Sequence, residues 1–139
     1  VLKMPQFPSS KNGLHHFEAV KYLFHLVTVV FLVTLPGFIQ FMRTVVKNGY
    51  LALYRSLFFW MMVLPVVLAV MTVIIGFDQF FTLFHQVLFA GDNTWLFDPR
   101  VDSIILALPE DYFMHAFLIF FVLYEGVCAC FYLFSRRKK

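Results

Sequence analysis

The side chains best suited to chemistry in this sequence are its five histidines. Histidine titrates near neutral pH, so it can accept and return a proton under physiological conditions. His15, His16 and His85 lie in polar or amphipathic segments, where they could act on a lipid ester or a headgroup at a membrane surface. His25 and His115 lie inside or at the start of long apolar runs, and we interpret them as interfacial or packing residues. The candidate chemistry is therefore proton transfer next to a membrane.

An amphipathic helix is predicted around His85. Asp78, Thr82 and His85 recur at spacings of four and three residues, which places them on one face of a helix, whereas phenylalanines at similar spacings occupy another. A helix of this kind lies in the membrane interface rather than crossing the bilayer. No HExxH-type spacing accompanies the histidines, so no metal site is predicted.

The composition of the chain is that of an integral membrane protein. Of its 139 residues, 61% are hydrophobic and 14% are charged, and the mean hydropathy is +0.80. Soluble domains average about 45–50% apolar and about 25% charged residues. The excess, which includes twenty phenylalanines, cannot be hidden in the core of so short a chain.

Three apolar runs define the predicted architecture. They occupy residues 23–42, 56–76 and 112–134, and each is about as long as the roughly 20 residues that a helix needs to cross the hydrocarbon core. Pro36 and Pro65 lie inside two of the runs, where a membrane helix tolerates them as kinks. We predict an all-α integral membrane protein with three transmembrane helices and an extracellular interfacial helix and loop.

Charge sets the predicted orientation. Arg43, Lys47 and Arg55 lie between the first two runs, and four basic residues end the chain at 136–139. Basic residues near membrane ends mark the cytoplasmic side. The predicted division is 1–22, extracellular segment and helix entry; 23–42, transmembrane; 43–55, cytoplasmic loop; 56–76, transmembrane; 77–111, extracellular loop with the interfacial helix; 112–134, transmembrane; 135–139, cytoplasmic tail.

This topology leaves the first residues outside the cell without a segment that could carry them across, so one more transmembrane helix is expected upstream. The few basic groups are explained by topology, and no nucleic-acid partner is predicted. Membrane lipids are the expected surroundings, and the oligomeric state stays open. No nucleotide-binding loop or nucleophile elbow occurs in the sequence.

Two segments resemble a known family. The longer one consists of the runs FHQVLF at 84–89 and DNTWLFDPR at 92–100, of Asp102, and of LPE at 108–110. It resembles a signature of the lipoprotein intramolecular transacylases, Lit, of Gram-positive bacteria. The shorter segment, HFEAVKYL at 16–23, is similar to the family's H-x-x-D-V-K-x-L signature, with Ala19 in place of the aspartate and with Lys21 in the lysine position.

The resemblance implies an activity. Such proteins move the sn-2 acyl chain of a diacylglyceryl lipoprotein to the α-amino group of its N-terminal cysteine, and the product is a lyso-form lipoprotein. Donor and acceptor belong to one molecule, so no cofactor is implied. The two invariant histidines of the family fall on His16 and His85. The active site is expected on the extracellular face of a bacterial cell membrane.

Roles follow for these histidines as hypotheses. The α-amino group has a pKa of about 7.7–8.0, so a base must remove its proton before it attacks an ester. We expect His85 to be that base, oriented by Asp78 or by an acid of the loop, with His16 as a partner that binds the oxyanion or relays protons. A covalent acyl-histidine step is an open variant.

Supporting roles are expected for several further residues. Asn93 is a candidate oxyanion donor, Asp98 and Asp102 either hold the loop or bind the amine, and Trp95 lines an acyl groove. Lys21 is expected at the interface. Two alternatives remain open, namely another histidine-dependent lipid hydrolase and a non-catalytic membrane scaffold or transporter accessory, in which the histidines would be dispensable.

Overall fold

A computed structural model describes residues 8–136, and all regular structure in that range is helical. The N-terminal part of the predicted segment 1–22, and residues 137–139 of the predicted tail, lie outside the described residues. The elements are α1 at Lys11–Phe41, a π-helical turn at Met42–Val46, a 3₁₀ helix at Tyr50–Tyr54, α2 at Arg55–Ile75, α3 at Phe77–Leu88, α4 at Ile104–Ala107 and α5 at Glu110–Phe134.

Three helical segments are long and apolar enough to cross a membrane, namely Lys11–Val46, Tyr50–Ile75 and Glu110–Phe134. This confirms the predicted class of all-α membrane protein with three spans. Most of their large hydrophobic side chains are exposed, as expected for helices that face lipid. Pro36 and Pro65 lie within continuous helices.

Helix α1 begins at Lys11, within the segment 1–22 that was predicted as helix entry. Ser10 caps the helix, because its Oγ accepts a hydrogen bond of 2.9 Å from the backbone N–H of Gly13. The 31 residues of α1 measure about 46 Å, more than the hydrocarbon thickness of about 30 Å. The polar first turns, which carry His16, therefore extend beyond the apolar run at 23–42.

The segment predicted as a cytoplasmic loop at 43–55 is itself mostly helical. A short turn at 47–49 joins the π-helical turn to the 3₁₀ helix, and its last residue, Gly49, has a φ of 76°, a left-handed conformation that glycine adopts readily. Val45 and Leu51 from this segment pack with Phe58 of α2 in a small buried core. The turn thus joins α1 closely to α2 at this end of the molecule.

Helices α2 and α5 pack against each other. Phe58 stacks on Phe131 with ring centroids 5.2 Å apart, and the Tyr124 hydroxyl donates a 3.2 Å hydrogen bond to the carbonyl of Met61. In lipid the hydrophobic effect does not drive two helices together. Close packing and hydrogen bonds of this kind hold them together instead.

Helix α3 confirms the amphipathic helix predicted around His85. Gly76, with φ of 88°, turns the chain out of α2, and α3 then lies against α5. Phe80 and Phe84 contact the ring of Phe117 with centroid distances of 5.6 and 5.2 Å. This aromatic packing places the last turn of α3, and with it His85, toward the start of α1.

Candidate active site

The structure brings the two candidate histidines together. His16 lies in the second turn of α1 and His85 in the last turn of α3, and their ring centroids are 6.0 Å apart. The planes are inclined by 35°, so the rings approach without stacking. A group held between them could exchange protons with both imidazoles.

His16 is enclosed by aromatic rings. It is only 7% exposed, and Phe89 and Phe97 present edges to its ring at 4.9 and 5.5 Å. Its Nδ1 is buried and has no hydrogen-bond partner in the part of the chain that the structure describes. A buried polar atom without a partner costs about 1–3 kcal/mol. We interpret Nδ1 as an atom that a substrate group can satisfy.

Burial lowers the pKa of His16 below its ordinary value of 6.5. The positive charge that His85 can carry lowers it further, whereas the carboxylate of Asp92 partly opposes this. The neutral ring, which can accept a proton, therefore predominates at pH 7.

His85 is oriented by the backbone of its own helix. Its Nδ1 lies 2.8 Å from the carbonyl oxygen of Phe81, one turn earlier. A carbonyl can only accept, so Nδ1 of the neutral ring carries the hydrogen and Nε2 keeps a lone pair. Trp95 stacks on the same ring with a centroid distance of 4.8 Å. Both contacts hold the imidazole in one orientation.

In this structure the backbone carbonyl of Phe81 orients His85, whereas the candidate from the sequence was Asp78 or an acid of the loop. Asp78 lies two turns earlier on α3, beside Glu110 at the start of α5. Among the described residues, no hydrogen bond or ion pair joins a carboxylate to His85. Asp78 and His85 do lie on the same helix, as the spacing predicted.

The loop after α3 contacts both histidines, with Trp95 on His85 and Phe97 on His16. The indole Nε1 of Trp95 is buried and lacks a hydrogen-bond partner within residues 8–136. This nitrogen only donates, so it can bind an oxygen of a ligand. Two buried polar atoms without partners, Nε1 here and Nδ1 of His16, thus occur around one pair of histidines, which is consistent with a site for a polar group.

Asp92, which was not selected as a site residue from the sequence, lies beside His15. His15 Nε2 lies 3.5 Å from Oδ2 of Asp92, and the backbone N–H of Thr94 donates a 2.8 Å bond to Oδ1. The bond from Thr94 is the main reason that the pKa of Asp92 is lowered, so its carboxylate stays ionised. Asp92 lies within the signature-like run, but only the structure places it at the histidines.

Asp102 ties the loop to the beginning of α1. It is 3% exposed, and its carboxylate accepts hydrogen bonds from the backbone N–H of Ser10 at 2.7 Å and from the Ser10 hydroxyl at 3.0 Å. The same hydroxyl accepts from Gly13, which lies one turn before His16. We call Ser10, Gly13 and Asp102 the loop clasp. It fixes the loop against the helix that carries His16.

The remaining candidates make other contacts or are exposed. Asp98 Oδ1 accepts bonds from the N–H of Arg100 at 2.9 Å and from its Nε at 3.2 Å, in the turn that leads to Asp102. Asn93 and Lys21 are exposed. In the described structure, none of the three makes a hydrogen bond or ion pair to His16 or His85. No group of three or more metal-ligating side chains occurs among residues 8–136.

The low pKa of His16 can be tested by titration. In an NMR titration of the histidine-labelled protein, we expect the His16 resonance, assigned with His16→Ala, to titrate below pH 6.5. Replacing Asp92 with asparagine removes a charge that raises this pKa, so the midpoint should move lower still. Unfolding should become easier as the pH falls from 6.5 through the folded pKa, because the unfolded chain then binds more protons. A His16 titration midpoint at or above pH 6.5 would contradict the conclusion that burial lowers the pKa of this imidazole.

Comparison with known proteins places these residues in one family. A family model described as lipoprotein intramolecular transacylase Lit matches residues 1–113, a range that includes both histidines, the loop and the loop clasp. No curated protein and no solved structure matches the chain.

Proposed function

This chain belongs to the lipoprotein intramolecular transacylase family, Lit, and from that premise we propose that it moves the sn-2 acyl chain of a diacylglyceryl lipoprotein to the α-amino group of that lipoprotein's N-terminal cysteine. The observation that carries the proposal is the close approach of His16 and His85, at 6.0 Å, beneath a loop of aromatic residues. Family membership alone supports a lipoprotein substrate and an acyl transfer in general.

The proposed reaction begins with His85 as base. Its Nε2 lone pair, left free because Nδ1 donates to Phe81, removes a proton from the substrate's amine. The amine attacks the sn-2 ester carbonyl and forms a tetrahedral intermediate. As the ester C–O bond breaks, the glyceryl oxygen takes the proton from His85 or His16. The nitrogen gives its remaining extra proton to the imidazole freed in this way, and an amide bond remains. That proton is then released to water. Because both reacting groups belong to one molecule, proximity lowers the barrier without a cofactor.

The oxyanion of the intermediate needs a donor. We propose Trp95 Nε1 for this role, because it is buried, lacks a partner in the described part of the chain and belongs to a ring that stacks on His85. Asn93, the candidate from sequence, is exposed and lies in the turn before Trp95. His16 is then the proton relay, with its unpartnered Nδ1 available to the leaving oxygen.

The substrate's ammonium group requires a negative charge. We propose that Asp92 binds it, in place of Asp98 or Asp102. Asp102 is fully engaged in the loop clasp, and Asp98 is paired with Arg100. Asp92 keeps Oδ2 available apart from the 3.5 Å contact to His15, and it lies close enough to influence the pKa of His16.

Asp92→Asn should therefore weaken substrate binding more than it slows the chemical step. We expect KM for the lipoprotein to rise about tenfold, since the variant removes a charge-assisted hydrogen bond to the ammonium and this carboxylate is partly exposed. The measurement is the transfer rate against substrate concentration in detergent micelles. Asp98→Asn, which changes a carboxylate of the same loop, is the matched control and should leave KM unchanged. Equal effects of the two variants would contradict this role.

We also propose an orientation and a place in the cell. The site would lie on the extracellular face of a bacterial cell membrane with the C-terminus in the cytoplasm, as in Gram-positive organisms. Support comes from charge. The loop beside the histidines is rich in acids, whereas Arg43, Lys47 and Arg55 lie between α1 and α2 at the other end of the helices.

The function is tested by mass spectrometry of a lipoprotein's N-terminal lipopeptide. The lipoprotein would come from a bacterium that lacks other N-acylating enzymes and expresses this chain. The lyso-form, with one acyl chain on nitrogen, is expected. Free fatty acid without N-acyl product would indicate a lipid hydrolase instead. An unchanged diacyl lipoprotein beside folded protein would favour a non-catalytic scaffold.

A further inference from the structure

A second cluster of polar groups lies at the other end of α5, away from the histidines. Arg55 is the first residue of α2, and Arg136 follows the end of α5. Both guanidinium groups donate to the hydroxyl of Tyr132, at 3.3 Å and 3.2 Å. The 25 residues of α5 separate this cluster from the loop by about 37 Å.

The two arginines are held close together although they repel each other. Their charged ends lie over the same aromatic ring, at 5.1 and 5.0 Å from the centroid of Tyr132. Cation–π contacts favour each arginine singly, but a neutral phenol cannot cancel two positive charges.

No carboxylate compensates this pair within residues 8–136, because the ion pairs found there involve only His15 with Asp92 and Arg100 with Asp98. The neighbouring segment 43–55 contains two more basic residues, Arg43 and Lys47, and no acid. The arrangement therefore presents two unneutralised guanidinium groups at one point, where both helices end.

We propose that Arg55 and Arg136 form a binding site for a phosphate group. Guanidinium presents paired N–H donors that match phosphate oxygens, and two such groups on one tyrosine are already positioned to bind one anion. Because the cluster lies at the ends of two membrane-spanning helices, the anion is the headgroup phosphate of an acidic phospholipid. Inorganic phosphate presents the same oxygen atoms and is the alternative ligand for this site. This site is independent of the transfer reaction at His16 and His85.

The test uses the full chain in nanodiscs that contain equal amounts of dioleoyl phosphatidylglycerol and dioleoyl phosphatidylcholine. Native mass spectrometry would count the lipids retained by the unmutated protein, by Arg55→Gln/Arg136→Gln and by Arg43→Gln/Lys47→Gln. The last variant is the matched control, because it removes the same charge from the same end of the helices. Binding of inorganic phosphate is tested separately. Here the proteins are placed in nanodiscs of phosphatidylcholine alone, and broadening of the ³¹P NMR line of inorganic phosphate is measured.

We expect the unmutated protein and the control to retain phosphatidylglycerol about tenfold over phosphatidylcholine, and the Arg55/Arg136 variant to lose this preference. Phosphate broadening that depends on the same two arginines, without a lipid preference, would assign the site to the free ion. Equal retention by all three proteins, without phosphate broadening, overturns the proposal. If the glutamine variant fails to fold, Arg55→Lys/Arg136→Lys keeps the charge without the paired donors and should lower retention severalfold.

Discussion

Replacing His85 with alanine is expected to slow N-acylation of the lipoprotein by about 10²–10⁴-fold. The variant removes the Nε2 lone pair that the bond to Phe81 leaves available, and no other base of the described structure is held in the same orientation beside His16. The yield of lyso-form lipopeptide, measured by mass spectrometry at equal protein level, reports the effect. Thermal unfolding of the purified variant checks that the fold survives.

His115 supplies a matched control for this result. Its Nδ1 also bonds to the carbonyl one turn earlier, that of Asp111 at 2.6 Å, but it is exposed and has no ring contact with His16. His115→Ala removes the same local hydrogen bond from a helix and should leave the rate unchanged. If His115→Ala and His85→Ala cost the same, the loss would reflect helix stability and not proton transfer.

The same measurement of lyso-form lipopeptide can be made on a variant that lacks both His16 and His85. If His16 and His85 act on one proton path, their effects will not add, and the double alanine variant should be little worse than His85→Ala alone. Independent, multiplicative losses would assign the two imidazoles to separate steps.

Gly13→Ala is the second substitution expected to have a large effect, although it adds only one methyl group. A Cβ at Gly13 would lie 2.6 Å from Oδ1 of Asp102, closer than such atoms approach in proteins, so the carboxylate must move. Its bonds to Ser10 would then be lost, and a buried carboxylate without good partners costs about 1–3 kcal/mol or more. We expect a lower unfolding temperature and a loss of activity of about 10²-fold, because small displacements of catalytic groups have effects of that size.

Gly37→Ala is the control, because an added Cβ there meets nothing within 4 Å on the same helix. Alanine is the better helix former, so this variant should be neutral or more stable by about 0.5–1 kcal/mol. A double-mutant cycle isolates the contact. In an Asp102→Ala background, Gly13→Ala should cost almost nothing further. A full additional loss in that background would show that Gly13 acts independently of the loop clasp.

Much of the fold was determined by the sequence alone, because it depends on local patterns. The lengths of the apolar runs predicted the three spans, and the spacing of the phenylalanines around His85 predicted α3. Both signals arise from neighbours within a few turns of one helix. Ser10 caps α1 and sets its start at Lys11, inside the predicted segment 1–22, and the bond of this hydroxyl to a distant aspartate is not visible in the local pattern.

The candidate site was decided by the tertiary structure. Resemblance named His16 and His85, but only the packing of α3 on α5 and the closure of the loop on α1 bring their rings to 6.0 Å. The carbonyl that orients His85, the approach of Asp92 to His15 and the bonds of Asp102 were likewise invisible in the sequence. Most of these contacts join residues far apart in the chain, so they depend on how helices and loop are arranged in space, which short-range spacing does not encode.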